Sequence, residues 1–253
     1  MIDFIATVMF FTRIPVKWAY FSDKAPNLTR AAWAFPLIGY FIGICSGIIG
    51  DISLFFGLST FISCLLAVAF SVMLTGAFHE DGLADMADGF GAGGSRERVN
   101  EIMHDSRLGT YGVTALTLGL LIRVGLIVSL VDLGYSFVLI MGTGFASGKM
   151  AIIVTRKLFN PSYLAKTGSI IGYISAKSIL YATLIWLVPV TLFLSFFSIL
   201  IGAIFVAISI CLIGFRSNHY LGGITGDVLG AIAFSSELLF LLGILSVFNG
   251  VPW

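Results

Sequence analysis

Long apolar runs with at most one charged residue recur along this chain, and they constrain its fold more than any other feature. Each run is about 20 residues long, the length that a helix needs to cross the hydrocarbon core of a bilayer. The chain is 58% hydrophobic and only 11% charged, whereas a soluble domain is typically about 25% charged. Continuous apolar runs indicate helices, which satisfy their own backbone in lipid. The sequence therefore predicts an all-α, polytopic transmembrane helical bundle, with residues 1–253 forming a single integral membrane domain.

The apolar runs divide into seven predicted spans, whose boundaries are expected to hold within a few residues. A short turn near residues 195–198 separates the fifth and sixth runs, so six or eight spans remain alternatives. The glycine-rich spans permit close helix association, which allows a homo-oligomer. The predicted spans are Ala32–Gly50, Thr60–Phe78, Val113–Val131, Ser136–Thr155, Ser178–Leu194, Ile199–Phe215 and Val228–Phe248.

Basic residues alternate between the segments that join these spans. The first, third, fifth and seventh segments carry all the loop Lys and Arg, whereas the intervening ones carry Asp51, Asp132 or no charge. Because cytoplasmic loops carry the excess of Lys and Arg, the N-terminus, both long polar loops and the loop 216–227 are predicted to be cytoplasmic, and residues 249–253 external. The apolar N-terminal segment carries Asp3 and lacks a basic region, so we do not expect a cleaved signal peptide.

The acidic residues concentrate in one segment that is predicted to be cytoplasmic. Seven of the 13 Asp and Glu residues lie between residues 80 and 105. Asp81, Asp85 and Asp88 stand at i, i+4 and i+7, so they share one face of a helix. Three carboxylates on one face repel each other, and a divalent cation with hard oxygen ligands, such as Mg²⁺, offsets that repulsion. The alternative is a solvated polar loop, for which scattered charge would serve equally well.

A second short cytoplasmic helix is predicted from Arg96 to Met103, with Ser95 as its N-cap. Asp105 and Arg107 follow it beside glycines. An Asp and an Arg in such a place suit metal and phosphate binding, because Arg binds phosphate through two parallel hydrogen bonds.

Two basic residues lie inside predicted spans. Arg123 is about ten residues into the third span, and Lys149 lies in the cytoplasmic half of the fourth. Charges within the membrane usually face the protein interior and mark functional sites. Lys149 has the alternative of extending its amine to the membrane surface.

The turn Gly222–Asp227 opens the last predicted span. A glycine-rich turn at a helix start offers backbone N–H groups to a phosphate. Asp227 is either a further metal ligand or a complement to the helix dipole. The candidate phosphate-binding residues are Gly222, Gly223, Thr225 and Gly226.

Five segments of the chain also carry a resemblance: Phe11–Val16, Phe35–Gly39, His79–Gly89, Glu101–Gly112 and Gly222–Ala231. Together, and in this order, they resemble the cobalamin-5′-phosphate synthase family, also called adenosylcobinamide-GDP ribazoletransferase. The resemblance implies a late step of coenzyme B12 assembly at the inner face of a prokaryotic cytoplasmic membrane. The implied substrates are adenosylcobinamide-GDP and α-ribazole or its 5′-phosphate. The implied products are adenosylcobalamin or its 5′-phosphate and GMP, and the implied cofactor is Mg²⁺.

This resemblance gives the candidate residues roles in a group transfer that depends mostly on positioning and charge neutralisation. A ribazole hydroxyl attacks the cobinamide-linked phosphorus, and GMP leaves. His79 or His104 is the candidate base. Arg107 and Arg13 are expected to stabilise the departing phosphate. The candidate ligands of Mg²⁺ are Asp81, Asp85, Asp88, Asp105 and Asp227.

Two other functions are kept as alternatives. Asp85–Ala92 also resembles the opening half of the CDP-alcohol phosphotransferase signature, although Gly93 stands where that signature has Arg. A divalent-cation transporter fits the composition, but its sites usually lie near the membrane midplane, whereas most of these carboxylates lie outside the spans. A net charge of +1 gives no reason to expect nucleic acid, so small-molecule substrates and membrane lipids are the expected partners.

Overall fold

Helices make up most of the structure. The computed structural model describes residues 1–165 and 171–248, so the segment 249–253, predicted to be external, lies outside the described residues. Within the described ranges the protein forms eleven α-helices, two 3₁₀ turns (Trp18–Tyr20 and Ala32–Ala34) and one β-bridge between Pro161 and Ile224. The α-helices are α1 (Ile2–Phe11), α2 (Leu28–Ala31), α3 (Phe35–Phe55), α4 (Thr60–Thr75), α5 (Phe78–Ala92), α6 (Arg96–Met103), α7 (Thr110–Asp132), α8 (Phe137–Leu158), α9 (Ala176–Phe193), α10 (Phe196–Leu221) and α11 (Gly226–Phe248).

Six helical segments are long and apolar enough to cross a membrane. They are Leu28–Phe55, which joins α2 to α3, and the helices α7, α8, α9, α10 and α11. The helices α4 and α5 pass the same test only as a bent pair, so the described residues contain six spans, or seven if that pair counts as one. The predicted all-α, multi-spanning bundle is confirmed. The fifth and sixth predicted spans are indeed separate helices, because Ser195 caps the start of α10.

The second predicted span differs from the prediction. The sequence predicts one helix over Thr60–Phe78, but α4 ends at Thr75 and α5 leaves at an angle of 85°. Gly76 and Ala77 both adopt the left-handed conformation, with φ of 69° and 58°. A left-handed glycine is a common helix end, and it stops α4 before the acidic segment. The bend turns α5 back against α7 and α11.

Small residues let the helix backbones approach closely. A Cβ atom added at Gly82 of α5 would lie 2.6 Å from the backbone oxygen of Asp227 at the start of α11. A Cβ added at Gly39 of α3 would lie 2.6 Å from the Cα atom of Ala146 in α8. The first of these contacts positions the site, because it brings the start of α11 against the acidic helix.

Candidate active site

Four carboxylates lie near enough to influence one another where α5 passes the start of α11. Asp81, Asp85 and Asp88 lie along one helix face, as their spacing predicts. The half-buried carboxylate of Asp85 interacts electrostatically with those of Asp81, Asp88 and Asp227. We call these four residues the acidic face. The structure thus joins Asp227, which is far away in sequence, to the predicted stripe on α5.

Asp88 has a second role, which the spacing of the three aspartates along the helix does not predict. Its Oδ2 atom accepts a hydrogen bond of 2.7 Å from the backbone N–H of Gly109, and its Oδ1 atom accepts one of 2.8 Å from Gly112. The first N–H groups of a helix have no partner within that helix, so Asp88 satisfies two donors where α7 begins. A side chain at Gly109 or Gly112 would collide with this carboxylate. The sequence predicts a metal ligand here, and the structure adds a helix cap.

The chemistry of the acidic face fits a hard cation. It offers only carboxylate oxygens, which Mg²⁺ prefers over nitrogen or sulfur ligands. Four carboxylates in a half-buried place also repel each other, and a bound cation relieves that repulsion. Across residues 1–165 and 171–248, no three His, Cys, Asp or Glu side chains form a group that could already hold a metal ion. The fit therefore rests on the kind of ligand present, and these side chains would have to converge on the ion.

Asp105 and Arg107 pair with each other. The Nη2 atom of Arg107 lies 2.6 Å from Oδ2 of Asp105, and its Nε atom lies 3.0 Å from Oδ1. Hydrogen bonds from Arg107 lower the pKa of Asp105 to about 2, so this pair remains ionised near neutral pH. Both residues line an open cavity of about 500 Å³ that also contains Asp88. They therefore lie beside the acidic face, and a role for Asp105 as a metal ligand stays a prediction.

A second cavity adjoins the acidic face on the side of Asp227. We call it the aromatic cavity; its volume is about 150 Å³, and its walls include Phe10, Phe11, Phe78, His79, His104 and Asp227. The two candidate bases thus line the same space. The Nδ1 atom of His104 lies 2.7 Å from the backbone oxygen of Asn100. Because a carbonyl oxygen only accepts hydrogen bonds, Nδ1 carries the proton and Nε2 is left as the accepting nitrogen.

The turn before α11 divides into two parts. Thr225 and Gly226 line the aromatic cavity next to Asp227. Gly222 and Gly223 have structural roles instead. Gly222 ends α10 in the left-handed conformation, with φ of 67°, and Gly223 packs against the backbone of Pro161 and Ser162. Of the four residues predicted to bind phosphate, the structure therefore brings two to the cavity.

Arg13 lies at the bend between α4 and α5. Its backbone N–H donates to the carbonyl oxygen of Leu74 over 2.7 Å. Its side chain packs over Gly76, in space that any side chain at residue 76 would fill. The bend thus places this exposed arginine near the start of the acidic helix.

A cluster of charged residues is buried beside the start of α5. Arg123 is 0% exposed, and its Nη1 atom donates to Glu80 over 2.8 Å. It also donates to both carboxylate oxygens of Glu237, over 2.8 and 2.9 Å. Lys149 is 1% exposed, and its Nζ atom lies 3.4 Å from both ring nitrogens of His79. We call these five residues the charged cluster; it ties α5, α7, α8 and α11 together.

Sequence reasoning found part of the charged cluster. It singled out Arg123 and Lys149 as intramembrane charges, but it assigned them no partners. It did not include Glu80 in the shared face of the three aspartates, and it passed over Glu237. The position of Glu237 was the missed signal, because a carboxylate inside an apolar span is rare and usually has a buried partner.

Comparison with protein-family models shows to which family this chain belongs. The family model described as cobalamin-5-phosphate synthase matches residues 3–245 of this chain. The chain belongs to the cobalamin-5-phosphate synthase family. It is accordingly a transferase, and the resemblance found in the sequence is confirmed. The synthase motifs at 79–89, 101–112 and 222–231 form α5, the segment leading into α7 and the start of α11.

Relatives of the synthase family match over nearly their whole length. The adenosylcobinamide-GDP ribazoletransferase of Azorhizobium caulinodans is 38% identical over 253 residues, covering 96% of this chain and 95% of the relative. The protein of the same name from Clostridium botulinum strain Langeland is 35% identical and covers 96% of this chain and 97% of the relative. That from Bradyrhizobium diazoefficiens is 33% identical, with coverages of 85% and 82%. No solved structure matches the chain.

Proposed function

We propose that this chain transfers the adenosylcobinamide-phosphate group of adenosylcobinamide-GDP to a hydroxyl of α-ribazole or its 5′-phosphate. GMP leaves, and adenosylcobalamin or its 5′-phosphate forms. The names of the relatives support these substrates. One structural observation supports the reaction type: the carboxylates of Asp81, Asp88 and Asp227 interact electrostatically with that of Asp85, and Asp227 lines a cavity. Carboxylates that hold a cation are a common means of binding a diphosphate.

Within this proposal, Asp81, Asp85 and Asp227 would hold Mg²⁺. Asp88 contributes the oxygen lone pairs that its two backbone hydrogen bonds leave available. When bound, the metal neutralises charge on the diphosphate and on the departing phosphate. Asp105 is the remaining candidate ligand, and its pairing with Arg107 makes it the less suitable one.

His104 is the better candidate for the base. Its tautomer leaves Nε2 ready to accept the proton of the attacking hydroxyl, and its side chain is exposed to the aromatic cavity. As the new oxygen–phosphorus bond forms, that proton passes to Nε2 and the bond to the GMP oxygen breaks. His79 is only 4% exposed and contacts Lys149, so we assign it to the wall of the cavity.

The departing phosphate needs positive partners. Arg107 is 87% exposed in its side chain and lines the cavity beside Asp88, and Arg13 lies at the start of α5. The backbone N–H groups at the start of α11, near Thr225 and Gly226, add a further anion site. We assign these groups to the phosphates of the donor substrate.

The proposal includes an orientation. The N-terminus and the acidic face lie on the cytoplasmic side of a prokaryotic cytoplasmic membrane. The distribution of Lys and Arg among the loops supports this orientation, and so does the need for nucleotide substrates, which are found in the cytoplasm.

The experiment uses protein purified in detergent, with Mg²⁺ and adenosylcobinamide-GDP. We expect GMP release that depends on added α-ribazole or α-ribazole 5′-phosphate. An absence of GMP release with both acceptors would refute the proposal. The transporter alternative is tested with the same protein in liposomes, where it requires metal flux without nucleotide. The CDP-alcohol alternative rests on a partial signature, whereas the synthase model covers residues 3–245.

A further inference from the structure

The aromatic cavity has a wall of contiguous rings. The rings of Phe10 and Phe78 meet edge to face with centroids 5.2 Å apart, and those of Phe78 and His79 meet at 5.4 Å. His79 also stacks on Phe11 at 5.9 Å. A wall of this kind binds flat aromatic ligands, because their rings stack or meet edge to face with it.

The remaining walls are mostly aliphatic. Ile152 of α8, Ile171, Ile224 and Leu229 of α11 contribute side chains to them. Arg156 also lines the cavity, and its Nε and Nη2 atoms already donate to the backbone oxygen of Ile171, over 3.0 and 2.6 Å. Apart from His79 in the wall of rings, the other polar residues that the structure describes in the lining, His104, Thr225, Gly226 and Asp227, are those assigned above to the base, the phosphates and the metal. The rest of the described wall therefore offers a ligand mainly apolar surface.

The volume of the aromatic cavity limits what it can hold. A dry engineered cavity of about 150 Å³ takes a single benzene ring. The aromatic cavity is of similar volume, about 150 Å³, and is open on one side. A planar base whose second ring extends toward the opening fits this space, whereas a corrin macrocycle is too large.

The polarity of the cavity distinguishes between guanine and benzimidazole, the heterocyclic bases of the two substrates. Guanine carries several hydrogen-bonding groups on its edges, and burying them without partners is unfavourable. The benzimidazole base of ribazole carries only its ring nitrogens. We infer that the aromatic cavity binds the benzimidazole base of the ribazole acceptor, with its ribose directed toward Asp227 and His104. This inference rests on the proposed function and adds the subsite of its second substrate.

Substitution of Phe78 tests the inference. Phe78 is 41% exposed, so Phe78→Ala removes part of the wall without opening a sealed core. We expect the KM for α-ribazole to rise about tenfold, the effect of losing one base-stacking ring, while the KM for adenosylcobinamide-GDP stays unchanged. Phe78→Leu keeps the apolar volume but loses the ring, so an intermediate KM is expected. Phe61→Ala removes a ring on α4 that is 54% exposed, and it should change neither KM.

Two kinetic outcomes overturn the inference. One is an unchanged KM for α-ribazole in Phe78→Ala; the other is a rise in the KM for adenosylcobinamide-GDP instead, which would assign the cavity to a base of the donor. A direct binding measurement tests the inference even if the preparation is inactive or the alanine variant folds poorly. Titration calorimetry of α-ribazole alone should give about tenfold weaker binding to Phe78→Ala than to the parent protein, and intermediate binding to Phe78→Leu. Equal binding of α-ribazole to the parent and to Phe78→Ala, or no binding to the parent, overturns the inference. A lack of turnover in the parent counts instead against the proposed function.

Discussion

Arg123 and Glu237 form a two-pronged ion pair inside the helix bundle. The Nε and Nη2 atoms of the guanidinium donate to the two oxygens of the carboxylate, over 2.8 and 2.9 Å. The same arginine binds Glu80 through Nη1. Because Glu80 is one residue before Asp81, this pairing fixes the start of the acidic helix against α7 and α11. The charged cluster thus holds in place the two helices that carry the acidic face.

The first prediction concerns the stability of this arrangement. Glu237→Gln leaves Arg123 with one carboxylate fewer in a buried place, so the free energy of unfolding should fall by about 3–5 kcal/mol. Chemical unfolding in detergent measures this change. Glu101→Gln is the matched control: it breaks the exposed pair with Arg98, which contributes about 0–1 kcal/mol. Equal small losses in both variants would contradict a stabilising role for the cluster.

The second prediction concerns the metal. Asp85→Asn removes the charge at the centre of the acidic face, so divalent-cation binding should weaken at least about tenfold. Titration with Mn²⁺, followed by electron paramagnetic resonance, measures binding without relying on turnover. Glu101→Gln, on the exposed face of α6, should bind Mn²⁺ as the parent protein does. Unchanged binding in Asp85→Asn would remove this residue from the metal site.

The third prediction separates Asp88 from Asp81. Both Asp81→Asn and Asp88→Asn should abolish turnover. Only Asp88→Asn should also destabilise the protein, by about 1–3 kcal/mol, because its amide group leaves one N–H at the start of α7 without an acceptor. Hydrogen exchange at Gly109 and Gly112 reports this change directly, and exchange at these amides should be unaffected in Asp81→Asn. Unchanged exchange in Asp88→Asn would argue against the cap.

The fourth prediction concerns orientation. In a variant whose three native cysteines are replaced by serine, Ser95→Cys should react with a membrane-impermeant thiol reagent only in inverted vesicles. Asp132→Cys, at the end of α7, should react only in intact cells or right-side-out vesicles. The reverse pattern would invert the topology.

Much of the fold was predictable because its signals are local. The length of each apolar run predicts a span, and the spacing of Asp81, Asp85 and Asp88 predicts a shared helix face. The bend after Thr75 was missed because Phe78 continues the apolar pattern, and only the left-handed backbone at Gly76 and Ala77 stops the helix.

The parts of the site that were missed depend on distant pairs. Arg123 binds carboxylates 43 and 114 residues away, and Asp88 binds backbone groups 21 and 24 residues away. No periodicity within one helix encodes such a pairing. Asp227 was recognised only as an isolated candidate, and the contact of its backbone with Gly82 brings it to the acidic face.

One measurement tests directly whether the acidic face performs a group transfer between two substrates. GMP and the cobalamin product are quantified by mass spectrometry in the same reaction, for the parent protein and for Asp85→Asn. We expect equal molar amounts of the two products from the parent, a requirement for Mg²⁺, and a rate at least about 100-fold lower in Asp85→Asn. GMP without a matching cobalamin product, or an Asp85→Asn variant as fast as the parent, would contradict this role of the acidic face.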